Sequence, residues 1–143
     1  GPGHYRGEFA AWDLTGRKKV WAIHEKFPVW SGTMVTAGNI AVYGTMDRWF
    51  KVVDATNGKL LYQFRAPSGF IGQPVTYQGA DGRQYIAMLS GVGGWAGALA
   101  NAEIDPRVRN GALGYTGAVT DLPSVTSGGS TLMVFGLPKG GAT

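Results

Sequence analysis

The chain carries the segment Phe9-Ala10-Ala11-Trp12-Asp13-Leu14-Thr15-Gly16-Arg17-Lys18-Lys19-Val20-Trp21 and repeats it in altered form as Phe50-Lys51-Val52-Val53-Asp54-Ala55-Thr56-Asn57-Gly58-Lys59-Leu60-Leu61-Tyr62. Each copy has a mainly apolar segment, an aspartate, a turn with threonine and glycine, and an aromatic residue eight positions after the aspartate. The two aspartates are 41 residues apart. A period in this range, made of strands and turns, is the signature of a β-propeller blade. The predicted fold class is therefore all-β.

The repeated residues are interpreted as structural. Asp13 and Asp54 are expected to accept local hydrogen bonds that set the turn between two strands, so they are interpreted as turn residues and not as catalytic acids. The closing aromatics, Trp21 and Tyr62, are expected to pack flat between neighbouring blades, as repeated aromatics in stacked arrays do.

The composition agrees with many short strands joined by tight turns. Glycine accounts for 24 of 143 residues, against an ordinary share of about 7%, while aromatic residues reach 12%. Disordered segments are poor in aromatics, so a flexible linker is excluded. The absence of cysteine excludes a disulfide scaffold and a cysteine-based metal site. The net charge of +4 is dispersed, which argues against a nucleic-acid footprint.

The strand pattern predicts about two and a half blades over residues 1–143, with a glycine-rich insertion at about 91–130. No transmembrane helix and no signal peptide are expected. The pattern predicts half a blade, one full blade and a third blade that lacks its outermost strand, so the chain is expected to be the C-terminal part of a larger propeller or one piece of a two-chain assembly. The predicted strands are Glu8–Asp13, Lys19–Ile23, Thr33–Thr36, Asn39–Thr45, Trp49–Asp54, Leu60–Phe64, Gly72–Tyr77, Gln84–Ser90 and Thr131–Phe135.

Three longer segments carry a family resemblance. Phe27–Asp47, Ser68–Tyr77 and Gln84–Trp95, which ends in Gly-Val-Gly-Gly-Trp, resemble the quinoprotein alcohol dehydrogenases. The resemblance extends from Gly1 to Pro138 and implies the C-terminal blades of an eight-bladed quinoprotein β-propeller. The ending Thr131–Pro138 is more similar to the lanthanide-dependent branch of that family than to the calcium-dependent branch.

The resemblance also implies a chemistry. Family members hold pyrroloquinoline quinone (PQQ) at the centre of the propeller over a lanthanide or calcium ion. They oxidise methanol or another small primary alcohol to the aldehyde by hydride transfer to the quinone. Electrons then pass to a c-type cytochrome in the periplasm. The family's catalytic aspartate and metal ligands are expected outside this chain, and the full enzyme is expected to be a homodimer that includes the remainder of the propeller.

Three residues match family positions beside the quinone: Trp30, Gly94 and Trp95. An indole N–H is a donor only, which suits quinone carbonyls and carboxylates, and glycine permits close approach of the backbone. The competing interpretation is that Trp30 and Trp95 are packing aromatics. Neither of them occupies the closing-aromatic position of the repeat, but position alone does not decide between the two interpretations. The family resemblance favours the cofactor interpretation.

Other polar residues are weaker candidates. His4 and His24 are not spaced as a pair of metal ligands and are interpreted as surface or hairpin residues. Glu103 and Asp105 are interpreted as part of a solvated loop. An insertion of about 40 residues is long for a structureless loop, so it is expected to be functional or to face a partner.

Two alternative functions remain open at this point. The same repeat occurs in non-enzymatic propeller scaffolds and assembly proteins, which lack the Trp30 and Gly93-Gly94-Trp95 elements. Related ethanol or glucose dehydrogenases share the repeat but differ in the insertion, and many carry a fused cytochrome. The sequence contains no Cys-x-x-Cys-His haem motif.

Overall fold

A computed structural model of the chain describes residues 3–94, 96–97 and 107–136. The strands are β1 (Gly7–Asp13), β2 (Lys18–Glu25), β3 (Met34–Val35), β4 (Ile40–Gly44), β5 (Trp49–Asp54), β6 (Leu60–Arg65), β7 (Val75–Gln78), β8 (Gln84–Ser90) and β9 (Thr131–Gly136). Between β8 and β9 lie a short 3-10 segment (Gly111–Gly114) and two one-turn helices, α1 (Tyr115–Ala118) and α2 (Leu122–Val125).

The strands form three antiparallel sheets in chain order. The first contains β1 and β2, the second has the order β3-β4-β5-β6, and the third has the order β7-β8-β9. Every strand pairs with its sequence neighbour, as expected for antiparallel sheets built from hairpins. The sheets therefore follow one another as successive repeat units.

The two repeat copies have the same register. In β1–β2 the pairing shifts between Ala11 and Trp12, and in β5–β6 it shifts between Val52 and Val53, in each case just before the aspartate. The residue before each shift pairs with the closing aromatic, Ala11 with Trp21 and Val52 with Tyr62. A β-bulge strengthens the local twist of a strand, so both hairpins twist at the same point of the repeat.

The aspartates organise the turns as predicted. Asp13 accepts a hydrogen bond from the Thr15 backbone N–H at 3.0 Å, and Asp54 accepts one from the Thr56 backbone N–H at 2.8 Å. The Thr56 hydroxyl, its backbone N–H and the Asn57 amide all donate to the Asp54 carboxylate, and they lower its pKa. Both aspartates are therefore committed to the turns.

Trp21 connects the first sheet to the turn of the second. Its indole N–H donates to the Ala55 carbonyl at 3.0 Å. Its ring lies over Gly58, where an added Cβ would be 2.8 Å from the ring, and Gly58 has a φ of +75°. Only glycine adopts that backbone freely, so the turn leaves room for the neighbouring aromatic, and the predicted role of Trp21 between blades is confirmed.

We expect Gly58→Ala to lower stability by about 1–2 kcal/mol, the usual cost of a left-handed backbone in a residue with a Cβ. The contact with Trp21 adds to that cost. Thermal unfolding of the assembled protein checks the expectation, with Gly38→Ala as control, because a Cβ at Gly38 would meet only the Thr36 hydroxyl, at 3.6 Å. Equal melting temperatures for the two variants would contradict it.

Strand β4 of the second sheet is buried on both faces. Along β4 the side chains alternate: Ala41 and Tyr43 pack with residues of the first sheet, whereas Val42 packs with residues of the third. A strand covered on both faces is continuously apolar, which explains why β4 reads Ile-Ala-Val-Tyr-Gly. The burial of alternate faces against different sheets is what a stack of repeats requires.

The contact between the second and third sheets centres on Phe135. Its ring stacks on Phe50 at a centroid distance of 4.0 Å. Tyr62 reaches the same ring at 6.3 Å, with an interplanar angle of 71°. Tyr62 thus lies between sheets as predicted, but the prediction of a flat contact is wrong for it, because its ring is nearly perpendicular to that of Phe135 whereas Phe50 makes the stacked contact.

Three strands are shorter or begin later than predicted, and one of them, β4, lacks one predicted residue at each end. β3 covers only Met34–Val35, because Thr33 bonds to the Val42 carbonyl through its hydroxyl at 3.0 Å. β7 begins at Val75, immediately after Pro74, which has no backbone N–H for a ladder.

The described helical segments all lie within the predicted insertion. Among the described residues, no helix has the length and apolar character needed to cross a membrane.

The alternation of strand direction places several loops at one end of the sheets. The linker before β3, the β4–β5 turn, the linker before β7 and the β8–β9 insertion all lie there. Backbone bonds connect these loops: Gly32 N–H to the Gly72 carbonyl at 3.3 Å, and Phe70 N–H to the Thr45 carbonyl at 3.0 Å. This end, called the linker end below, carries Trp30 and Gly94, two of the residues that the sequence indicates for function.

Candidate functional site at the linker end

The linker that carries Trp30 is fixed to the second sheet. The Ser31 hydroxyl donates to the Gly44 carbonyl at 2.9 Å and accepts from the Gly44 N–H at 2.9 Å. Gly32 lies so close to Gln73 that an added Cβ would be 2.4 Å from that side chain. The backbone on the C-terminal side of Trp30 is therefore fixed by the second sheet and by the linker before β7, although residues 28–33 belong to no strand.

The Trp30 side chain remains half-exposed, with 40% of its surface accessible. The Tyr115 ring meets it edge-on, with centroids 5.1 Å apart and an interplanar angle of 75°. A packing aromatic of the Trp21 type would be expected to bury more of its ring between sheets. Trp30 instead presents ring surface at the linker end, next to the innermost strand of its sheet.

Gly94 also lies at this end, after β8. It is exposed and has a φ of +56°, and a Cβ added to it or to Gly93 would meet no atom of the described residues within 4 Å. Such a backbone can be approached closely by a flat ligand. Trp95 lies outside the described residues, as do Glu103 and Asp105. The structure therefore places two of the three predicted site residues, Trp30 and Gly94, at one end of the sheets.

The insertion covers an apolar cluster beneath Trp30. Its fully or nearly buried members are Phe27, Met46, Ala96, Tyr115, Val119 and Leu122. The Tyr115 hydroxyl donates to the Met46 sulfur at 3.7 Å, and burial raises the pKa of that hydroxyl. This cluster joins the linker after β2, the β4–β5 turn and both helices, so the insertion is part of the packed structure.

Charged groups hold the insertion from the side of the first sheet. Asp121 forms ion pairs with Arg6 at 3.0 Å and with Lys26 at 3.1 Å. Arg6 also donates to the Ala118 carbonyl at 3.0 Å. The bonds from Arg6 and then from Lys26 hold the pKa of Asp121 below its ordinary value. The two ion pairs of Asp121 are therefore complete at neutral pH and are lost only as the pH falls through that lowered pKa, whereas the bond from Arg6 to the Ala118 carbonyl does not depend on that carboxylate.

A second attachment lies beside the third sheet. The Ser68 hydroxyl donates to the Ser127 carbonyl, and the Gly69 N–H donates to the Thr126 hydroxyl at 3.0 Å. The Ser90 hydroxyl donates to the Ser68 carbonyl at 2.8 Å. The middle of the helical part of the insertion and the residues just after it are thus both attached to neighbouring segments, which makes its position over the linker end well defined.

Histidine and carboxylate side chains do not converge into a metal centre in the described part of the chain, where no group of three or more such residues is suitably placed. His24 lies on β2, stacks on Tyr5 at 3.8 Å and approaches Glu8 at 3.4 Å. Glu8 is also bonded to Lys19 at 2.5 Å. His24 therefore belongs to a surface cluster on the first sheet, away from Trp30.

The comparison with known families decides the assignment. Residues 7–86 match the family model described as "Glucose/ethanol/alcohol dehydrogenase, beta-propeller domain". The chain belongs to the PQQ-dependent alcohol dehydrogenases. Its three sheets are accordingly blades of a quinoprotein β-propeller, as the 41-residue repeat predicts.

Within the quinoprotein family the chain is similar to methanol dehydrogenases. It is 48% identical to the lanthanide-dependent methanol dehydrogenase of Methylacidiphilum fumariolicum over 96% of this chain and 23% of the relative. It is 43% identical to methanol dehydrogenase [cytochrome c] subunit 1 of Paracoccus denitrificans over 92% of this chain and 20% of the relative. The structure superposes on a europium-containing methanol dehydrogenase with a TM-score of 0.87 and 47% identity, covering 96% of this chain and 24% of the other. The chain spans less than a quarter of the length of these relatives.

Sequence analysis of this quinoprotein missed Tyr115, Arg6 and Asp121. Arg6 and Asp121 are 115 positions apart, and Tyr115 follows Trp30 by 85 positions, so no local pattern connects them. The sequence signal that could have found Tyr115 is that it is the single tyrosine in the glycine-rich insertion. An aromatic residue in such a segment indicates that the segment is packed against something.

Proposed function

We propose that this chain forms one wall of the cofactor site of a PQQ-dependent alcohol dehydrogenase, with Trp30, Gly94 and Trp95 facing the quinone. The observation that carries the proposal is the half-exposed Trp30 ring at the linker end. Its backbone is fixed by Ser31 and its ring contacts that of Tyr115 at an interplanar angle of 75°. Family membership and the similarity to methanol dehydrogenases support it.

The residues at the linker end fit a planar, polar cofactor. Trp30 offers an aromatic surface and an indole donor, and the open space over Gly93 and Gly94 allows a flat ring system to approach the backbone. When bound, the quinone supplies the hydride-accepting carbon for oxidation of methanol or another small primary alcohol. The contribution of this chain is to bind and orient that group, while the packed insertion limits access of water from its side.

The metal ion and the catalytic carboxylate belong, in this proposal, to other parts of the enzyme. A lanthanide is favoured over calcium, because the relative at 48% identity is named for lanthanide dependence. We further infer about two and a half blades, with the insertion at about 91–130, as the C-terminal part of an eight-bladed ring. The sheets of two, four and three strands support this division.

The proposed electron acceptor is a c-type cytochrome in the periplasm. A relative named methanol dehydrogenase [cytochrome c] subunit 1 supports this partner. The full enzyme is proposed to be a homodimer that contains the remainder of the propeller. An intact-mass measurement of the native particle tests the proposed homodimer, because the mass reports both the accompanying part of the propeller and the number of copies.

We expect Trp30→Phe and Trp95→Phe to weaken quinone retention or turnover by roughly ten- to a hundredfold. Phenylalanine keeps part of the ring surface and removes the indole donor, and an unsatisfied buried polar partner costs about 1–3 kcal/mol. The measurement is quinone absorbance per assembled particle, together with kcat and the melting temperature.

Trp21→Phe serves as the matched control. It removes the hydrogen bond to the Ala55 carbonyl and part of the contact over Gly58. We expect a lower melting temperature with unchanged quinone content. Full quinone occupancy and activity in Trp30→Phe and Trp95→Phe, with only a lower melting temperature, would show that both are packing aromatics and that the proposed site assignment is wrong.

A further inference from the structure

We propose that Tyr115 is a positioning residue that holds the Trp30 ring in the orientation required at the quinone site. This inference rests on the proposed function of Trp30. The two rings meet edge-on at a centroid distance of 5.1 Å, and Tyr115 is almost completely buried, with 7% of its surface exposed. A buried ring therefore contacts a half-exposed one.

The contact with Tyr115 determines the rotation of the Trp30 side chain, which the linker alone does not fix. Ser31 and Gly32 fix the backbone on one side of Trp30, but they do not fix the rotation of its side chain. Aromatic pairs prefer edge-to-face or offset geometries because the ring edge is positive and the ring face is negative. Tyr115 thus favours one orientation of the indole plane.

Tyr115 can perform this role because it is itself immobilised. Its hydroxyl bonds to the Met46 sulfur at 3.7 Å, and its ring belongs to the apolar cluster with Phe27 and Leu122. The helix that carries it is attached through the Ala118 carbonyl to Arg6. The orientation of Trp30 therefore depends on the insertion, a segment distant in sequence, as well as on its own linker.

The test compares Tyr115→Leu, Tyr115→Phe and Val119→Ala in the assembled holoenzyme. Val119 is the matched control, because it is buried in the same cluster with 5% exposure. Its substitution leaves the Tyr115 ring in place. We expect Tyr115→Leu to weaken quinone retention about two- to tenfold, the size of an aromatic pair. Tyr115→Phe keeps the ring and should restore most of the retention. Val119→Ala should lower the melting temperature without changing retention.

A second readout follows Trp30 directly. The near-ultraviolet circular dichroism of the indole region is compared for wild type and Tyr115→Leu, and again in a Trp30→Phe background. We expect a difference in the first comparison that disappears in the second. The inference is overturned if Tyr115→Leu leaves the indole signal unchanged, or if it changes retention no more than a Val119→Ala variant of equal melting temperature.

The two proposals fail in different ways. If Trp30→Phe retains its quinone fully, the proposed cofactor role of Trp30 is wrong, whatever the indole signal shows. If Trp30→Phe loses quinone but Tyr115→Leu behaves as wild type in both readouts, the cofactor role stands and the positioning role of Tyr115 is wrong.

Discussion

Glu25→Ala is expected to destabilise the interface between the first two sheets by about 3–5 kcal/mol, the usual cost of removing one partner of a buried ion pair. The Glu25 side chain is buried, with 7% of the residue exposed. Its carboxylate accepts from the Lys51 ammonium at 2.6 Å and from the Tyr43 hydroxyl at 2.7 Å. Burial and the neighbouring carboxylate raise the pKa of Tyr43, so its hydroxyl remains a donor.

Hydrogen–deuterium exchange of the assembled protein measures this effect locally. Peptides covering β2, β4 and β5 should exchange on the order of 10² to 10³ times faster, since local opening follows the local free energy. The double variant Glu25→Gln with Lys51→Met is the control. It removes the ammonium and keeps an acceptor for Tyr43, so most of the protection should return. Unchanged exchange in Glu25→Ala would mean that the ion pair contributes nothing to the interface.

Gly69→Ala is expected to be the most damaging small substitution at the linker end, at about 3 kcal/mol, near the upper end of the usual cost of overpacking. A Cβ there would be 2.1 Å from the Met46 carbonyl oxygen and 2.7 Å from a Val92 methyl. The backbone would have to move. The same residue donates to Thr126 at 3.0 Å and accepts from the Gly91 N–H at 2.7 Å, so the insertion would move with it.

Gly72→Ala is the matched control on the same linker, because its Cβ would meet only Leu89 atoms at 4.0 Å. We expect Gly69→Ala to lower both the melting temperature and the quinone content, and Gly72→Ala to lower neither. Thermal unfolding and quinone absorbance per particle measure the two effects. Equal behaviour of the two variants would show that the linker is not as tightly packed as the distances imply.

The hairpins could be predicted from the sequence because their determinants are local. Asp54, its threonine and its glycine lie within five positions and specify one turn. The apolar run of β4 is equally local, and its boundaries, Ile40–Gly44, fall within the predicted Asn39–Thr45. Trp21 was assigned to an interface because the repeat placed it at the end of a unit.

The insertion and its contacts could not be predicted in this way. The bond between Arg6 and Asp121 joins residues 115 positions apart, and the helices α1 and α2 are single turns without a periodic apolar pattern. Their positions follow from the apolar cluster around Phe27 and Met46. The steep angle between the Tyr62 and Phe135 rings also could not be predicted, because Phe135 lies on the last strand and contacts Phe50 and Tyr62 only in the folded chain.

The seating of Trp21 over Gly58 gives the stack of sheets a polarity. One unit supplies the ring and the next supplies the receiving turn, so the contact is heterologous, and copies of such a contact either close into a ring or continue without end. Dividing the chain between the first and second sheets leaves one surface that carries Trp21 and one that carries the Gly58 turn. Two complementary pieces of the propeller should therefore recognise each other in a single order, which makes the boundary between these sheets a rational place to split the enzyme into halves that reassemble.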